Sequence, residues 1–163
     1  DTGSPMHYTA EMVKKQNPEA KTVFIGPCIA KRKEGIDNEL VDFVLSFSEL
    51  DTILEAMEIK PADCEEIVLE NIDGEARGFA LSGGVIAAIK AQNLKIDIKT
   101  LSVDGLNKKS INLLKAFSKG KASAQFIEVM ACEGGCIAGP VSHMNAQKGK
   151  RNFEKGLEMI AEG

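Results

Sequence analysis

Four short apolar runs punctuate the chain, at residues 22–26, 41–47, 96–103 and 126–131. The first, second and fourth are nearly unbroken in apolar residues, as strands buried on both faces are, whereas the third alternates apolar with polar like a half-buried strand. Helical spacing fills the intervals. Ser4-Pro5 reads as an N-cap followed by proline at the first helical position, opening a helix to about Asn17-Pro18 with Met6, Ala10 and Val13 on one face. Ser48 is expected to cap a second helix that runs to about Glu58, with Leu50, Ile53, Leu54 and Met57 inward. Residues 60–77 are polar, carry an Asp73-Gly74 turn signal and read as a surface connection. Residues 85–92 form a third helix with Val85, Ile86 and Ile89 inward. Asp104-Gly105 turns, Asn107 caps a helix over 111–117, and Lys119-Gly120 stops it. A polar, basic segment at 143–152 leads to an amphipathic helix at 153–161 and reads as solvated surface. Strands alternating with helices predict an α/β fold, a layered and largely parallel sheet with flanking helices. No internal repeat or low-complexity linker interrupts it.

The chemistry-bearing residues gather at the ends of two of these strands. The run at 126–131 stops abruptly at Cys132-Glu133-Gly134-Gly135-Cys136, and the run at 22–26 stops at Gly26-Pro27-Cys28. Glycines after a strand let the backbone adopt positive φ and approach a ligand closely. Strand-end loops are where α/β folds place ligands. Ser82-Gly83-Gly84, at the start of a helix, either offers backbone N–H groups to an anion or packs closely against a neighbour.

Composition narrows the function classes. The 163 residues are 44% hydrophobic and 27% charged, with net charge −4, which places the chain among globular domains and gives it no electrostatic footprint for nucleic acid. Aromatic residues are 5%, with no Trp and one Tyr, so base-stacking platforms are lacking. No apolar run approaches the ~20 residues of a membrane span, and no signal-peptide pattern opens the chain. Four cysteines are too sparse for a secreted disulfide scaffold, so a cytoplasmic setting is expected, with thiols reduced or metal-bound. Cys64, flanked by the acidic residues Asp63 and Glu65, reads as an exposed bystander.

Cys28, Cys132 and Cys136 remain. Three thiolates at one point repel one another and need a cation, either zinc or an iron–sulfur cluster. Zinc would need a fourth ligand, for which His7 and His143 are available, but structural zinc sites usually pair ligands at short spacing on both sides, and here only one side is paired. A cluster with one ligand from outside these residues fits better. C-x-x-x-C is also not the C-x-x-C of thioredoxin-like sites.

Two stretches carry a resemblance. Gly26-Pro27-Cys28-Ile29-Ala30-Lys31-Arg32-Lys33-Glu34 resembles the second signature of the iron-only (FeFe) hydrogenases, P-C-x-x-K-x-x-E, and residues 128–136 resemble the third, E-x-M-x-C-x-x-G-C. Lesser echoes are Val41-Asp42-Phe43-Val44-Leu45, Ser82-Gly83-Gly84-Val85 and Asp104-Gly105-Leu106-Asn107, in the matching order over nearly the whole chain. The resemblance implies an H-cluster, a 4Fe–4S cubane joined to a two-iron subcluster, with Cys28, Cys132 and Cys136 on the cubane and Cys136 bridging to the two-iron unit. It also implies that Lys31 hydrogen-bonds a cyanide, that Met130 packs beside the two irons and that Glu34 is the acid beside the lysine. Glu34 reads equally as a salt-bridge partner. Ser4 matches a serine on the family's proton path, though an N-cap explains it as well.

The first family signature, T-S-C-C-P-x-W, is absent; Gly26 stands where methionine is usual; and the glycine-rich tract after Cys136 is reduced to Gly139-Pro140-Val141. With Asp1 rather than Met at the start, residues 1–163 are read as the C-terminal lobe of an H-cluster domain from a longer, anaerobic, cytoplasmic protein. The implied partners are H₂ and protons, a ferredoxin-like electron carrier or upstream iron–sulfur domains, and the N-terminal lobe of the same protein. Nucleic acid and membrane are not expected. The fragment alone is expected to be inactive, with the H-cluster absent or incomplete. The alternative is a non-enzymatic hydrogenase-like hydrogen sensor or cluster-handling module.

Overall fold

Ser4 and Pro5 start the first helix as their types dictate. In the computed structural model, which describes residues 2–65, 67, 76–92, 97–121 and 123–161, Ser4 is the extended N-cap, its hydroxyl accepts the His7 N–H, and α1 spans Pro5–Gln16. The chain divides into two compact units, Asp1–Glu65 with Pro140–His143, and Glu66–Gly139 with Met144–Gly163.

Unit 1 continues with β1 (Val23–Ile25), α2 (Ala30–Ile36), β2 (Phe43–Leu45) and α3 (Phe47–Ala56). β1 and β2 pair in parallel, Val23 opposite Phe43 and Ile25 opposite Leu45. Asp42 fixes the entry to both strands. It accepts the Thr22 N–H at 2.9 Å and pairs with Lys14 and Lys21, each at 2.9 Å, and these contacts, the Thr22 N–H foremost, hold its carboxyl well below the usual range. Met6, Ala10 and Val41 form a small core against which Phe24, Leu40 and Val44 pack.

Unit 2 contains α4 (Gly84–Ala91), β3 (Thr100–Asp104), α5 (Lys108–Ser118), β4 (Phe126–Met130) and α6 (Ala146–Ala161). β3 and β4 are parallel, with Thr100 opposite Phe126 and Asp104 opposite Met130. Asn107 caps α5 through the N–H groups of Lys109 and Ser110, and Gly120 ends it at φ +67°. Among the described residues no helix is long and apolar enough to cross a membrane.

The α/β class and the parallel pairing stand as expected, but among the described residues the strands form two two-stranded sheets, one in each unit. Phe24 and Val44 pack on the core while Val23, Ile25 and Phe43 lie exposed, so the first two runs are one-sided strands. In β4 the buried residue is Glu128 and Val129 is exposed, again unlike the strand expected. Three further expectations are corrected. The cap of α3 is Ser46, two residues before Ser48, because Ser46 completes a capping box with Glu49. Ile53 on α3 and Met57 at its C-cap, both expected inward, are exposed. Helix α6 begins at Ala146, inside the stretch read as a polar lead-in. Helix α2 is additional. It has no side-chain cap and no apolar stripe, and its ion pairs Lys31–Glu34, Lys33–Asp37 and Arg32–Glu49 support it instead. The Asp73-Gly74 turn and Ile96 lie outside the described residues.

Candidate functional site

At the end of β1 the Gly26 N–H donates to Leu45 O at 3.0 Å, extending the parallel ladder by one bond before Cys28. A Cβ at Gly26 would lie 2.9 Å from the Phe24 ring, so methionine here would displace a core side chain. Cys28 is half-buried, and α2 begins two residues later. Lys31 and Glu34 are one turn apart on that helix and form an ion pair. The Ser4 hydroxyl donates to the other oxygen of the same carboxylate. Burial opposes ionisation of Glu34, but the hydrogen bonds from Lys31 and Ser4 outweigh it and lower its pKa. Ser4 therefore serves as N-cap and as carboxylate partner at once, and Glu34 is the salt-bridge partner the sequence allowed. Ser4 and Glu34 line an open cavity of about 680 Å³ with His7, Asp37 and Asn38, which Lys31 does not line.

The two histidines are engaged elsewhere in unit 1. His7 Nδ1 lies 3.2 Å from Asn38 Nδ2, while His143 stacks on Phe47 and reaches Asp51 at 2.9 Å. Cys64 is exposed, as expected, with its thiol directed to Lys60 O at 3.5 Å.

In unit 2 the two parallel strands deliver their C-terminal ends side by side. The Gly105 and Leu106 N–H groups donate to Met130 O and Ala131 O at 2.9 and 3.1 Å. The loop then turns on itself, with Gly135 N–H to Cys132 O at 3.1 Å and Gly139 N–H to Cys136 O at 2.9 Å. Gly134 and Gly135 both have φ +91°, and Gly135 combines it with ψ −172°, a conformation essentially confined to glycine. A Cβ at Gly135 would stand 2.5 Å from Ala80 O, so the turn presses on the backbone ahead of α4. Met130 and Cys132 are half-buried and Cys136 is exposed.

Glu128, a carboxylate 5% exposed, accepts the Gly83 and Ile86 N–H groups, the latter at 2.9 Å. Of the N–H groups in Ser82-Gly83-Gly84 that an external anion could have used, that of Gly83 meets the chain's own carboxylate and that of Gly84 donates to Leu81 O at 3.1 Å; Gly84 also packs closely, where a Cβ would meet Gly78 O. Asp104 Oδ1 accepts the Ser82 hydroxyl at 2.6 Å and the Gly134 N–H at 2.7 Å. Sequence reasoning placed no role on Glu128 or Asp104 beyond their motifs. The available signal was an acid inside an otherwise apolar run, since a buried carboxylate requires donors.

The predicted ligands divide between the units, Cys28 in the first and Cys132 with Cys136 in the second, as do Lys31 and Glu34 from Met130. Among the described residues no three His, Cys, Asp or Glu side chains gather as a single-ion site. Two thiols four residues apart on a glycine turn at a strand end are nonetheless a donor set suited to an iron–sulfur cluster, which spreads its ligands more widely than a single ion does.

Comparison with known proteins agrees with the motifs. Residues 1–140 match the family described as iron only hydrogenase large subunit, C-terminal domain. The periplasmic Fe hydrogenase large subunit of Nitratidesulfovibrio vulgaris is 29% identical over 172 residues, covering 81% of this chain and 41% of that protein. An FeFe-hydrogenase whose oxygen inactivation at the H cluster has been described superposes with TM-score 0.64 at 17% identity, over 95% of this chain and 57% of the other. A variant of FeFe-hydrogenase HydA1 from Chlamydomonas reinhardtii gives 0.63 at 17% identity, over 92% and 58%. The chain therefore spans 41% of its curated relative and somewhat over half of these solved chains. With most of its length matched, the chain belongs to the iron-only hydrogenase family, as the C-terminal domain of the large subunit.

Proposed function

We propose that this chain forms the C-terminal lobe of an H-cluster domain and contributes Cys28, Cys132 and Cys136 as cluster ligands for the reversible oxidation of H₂ to protons and electrons. The observation that carries the reading is the family match over residues 1–140, which contains both cysteine signatures in order. When bound, the H-cluster would supply the redox chemistry and the site at which H₂ is split. The chain's own residues do the rest. Lys31, an ammonium held by Glu34, is a donor for an anionic group. The Ser4 hydroxyl holds its proton against Glu34 Oε1, a carboxylate that Lys31 helps keep ionised. Met130 offers a polarisable thioether at the end of β4. The same reading includes an anaerobic, cytoplasmic setting, a ferredoxin-like carrier or upstream iron–sulfur domains as electron partner, and an N-terminal lobe that completes the domain.

By ligand count, three cysteines without the family's first signature do not close a cubane shell, so these residues alone are inactive. Anaerobic reconstitution with ferrous iron and sulfide, then with a preformed two-iron carbonyl–cyanide complex, followed by hydrogen assay, tests this. The expected result is substoichiometric iron, lost on Cys132→Ser or Cys136→Ser, and negligible hydrogen turnover. Robust turnover by the 163 residues would overturn the inactivity; iron content indifferent to all three cysteines would overturn the ligand assignment. The second reading, a hydrogen-sensing or cluster-handling relative, is favoured by Gly26 and by the shortened tract at Gly139-Pro140.

A further inference from the structure

Two carboxylates from neighbouring parallel strands reach the same short segment. Glu128 of β4 uses one oxygen for the Gly83 N–H and the other for the Ile86 N–H. Asp104, the last residue of β3, uses a single oxygen for two donors, the Ser82 hydroxyl and the Gly134 N–H. Gly134 lies midway between Cys132 and Cys136. The next residue, Gly135, rests on this same segment, where a Cβ would come within 2.7 Å of Ser82 N and 2.5 Å of Ala80 O. The cysteine loop therefore leans on residues 80–86, Glu128 anchors those residues to β4, and Asp104 ties them to the loop.

We propose that Asp104 and Glu128 are positioning residues for the thiols of Cys132 and Cys136. Asp104 acts directly through Gly134, and Glu128 acts through the seat at residues 83–86. The inference rests on the reading that this loop ligates a cluster. Its two members differ in what they tolerate. Asparagine at 104 keeps one carbonyl oxygen with two lone pairs and can accept both bonds. Glutamine at 128 keeps only one acceptor and turns an NH₂ group towards a backbone N–H. A contribution that was only charge would predict the opposite for Asp104→Asn.

The test uses the 163-residue chain with Cys28→Ser and Cys64→Ser, so that Cys132 and Cys136 are the remaining thiols. Cd²⁺ affinity is read from thiolate-to-metal absorbance, and amide exchange over residues 131–139 is read by mass spectrometry without metal. Losing two hydrogen bonds, or losing one and setting an NH₂ donor against a backbone N–H in its place, corresponds to roughly a tenfold effect or more. Asp104→Leu and Glu128→Gln are each expected to speed loop exchange and weaken Cd²⁺ binding by about tenfold, while Asp104→Asn stays within about twofold of the parent on both. Ser82→Ala removes one bond and is expected to speed loop exchange by about threefold. That variant decides the matter if Asp104→Leu fails to fold. Unchanged exchange in Asp104→Leu or Ser82→Ala overturns the proposal, as does an Asp104→Asn loss equal to that of Asp104→Leu. A parent chain that ignores Cd²⁺ while its exchange follows the expected order overturns the cluster reading and leaves the brace standing.

Discussion

The two cysteine-bearing strand ends share a plan and differ in what holds them. In unit 1 the chain passes from β1 through Cys28 straight into α2, and the neighbouring groups are tied side chain to side chain: Lys31 and Ser4 to Glu34, and Arg32 to Glu49. In unit 2 the chain passes from β4 into a glycine turn held by steric exclusion at Gly135 and by carboxylates that accept backbone N–H groups. Ion pairs between long, partly exposed side chains are weak and respond to salt and pH. A glycine pressed against backbone and a buried carboxylate with two N–H donors are not adjustable in that way. The first strand end is thus built for charge, and the second for position.

That contrast is sharpest at Gly135. Gly135→Ala should destabilise unit 2 by about 3 kcal/mol, since alanine is strained at this φ and ψ and its Cβ meets Ala80 O. Hydrogen exchange should rise over residues 126–139 and stay at parental rates over 22–45. Parental rates in both regions would break the comparison. Next comes Glu128→Leu, which leaves the Gly83 and Ile86 N–H groups without their acceptor and should cost about 2–3 kcal/mol in urea unfolding.

In unit 1 the largest single effect expected is smaller. Ser46→Ala removes the capping box of α3 and should cost about 1 kcal/mol, read as faster exchange confined to residues 46–56. The smallest effect concerns acid. Hydrogen bonding from the Ser46 N–H, then from Arg32, lowers Glu49 from 4.5 to about 2. A depressed folded pKa gives stability that is fully present above 4.5 and lost as pH falls through about 2. Glu49→Gln should therefore flatten the decline of the urea midpoint in that window. Equal slopes in parent and variant would remove Glu49 from the acid sensitivity of this unit.

Much of this was legible locally. Ser4-Pro5, Asn107 and Lys119-Gly120 mark helix ends through contacts within a few residues, and the structure places α1 and α5 accordingly. Helix α2 gives little local signal because it is short, charged and uncapped, and Ser46 and Ser48 offer similar cap signals two residues apart. The apolar runs announced strands correctly but misstated burial. An apolar residue in a strand has a preference for cover, and whether cover exists depends on what packs against that face of the sheet.

Composition, spacing and motif order are properties of the linear chain, and they suffice for the thiols, their glycines, the parallel α/β plan and the family. That Glu128 faces inward to the Gly83 and Ile86 N–H groups and that Asp104 joins Ser82 to Gly134 follows from the folded arrangement alone. Those partners lie 22 to 45 residues apart. Periodicity names the face on which a side chain lies, but it carries no information about which distant backbone will arrive there with unsatisfied donors.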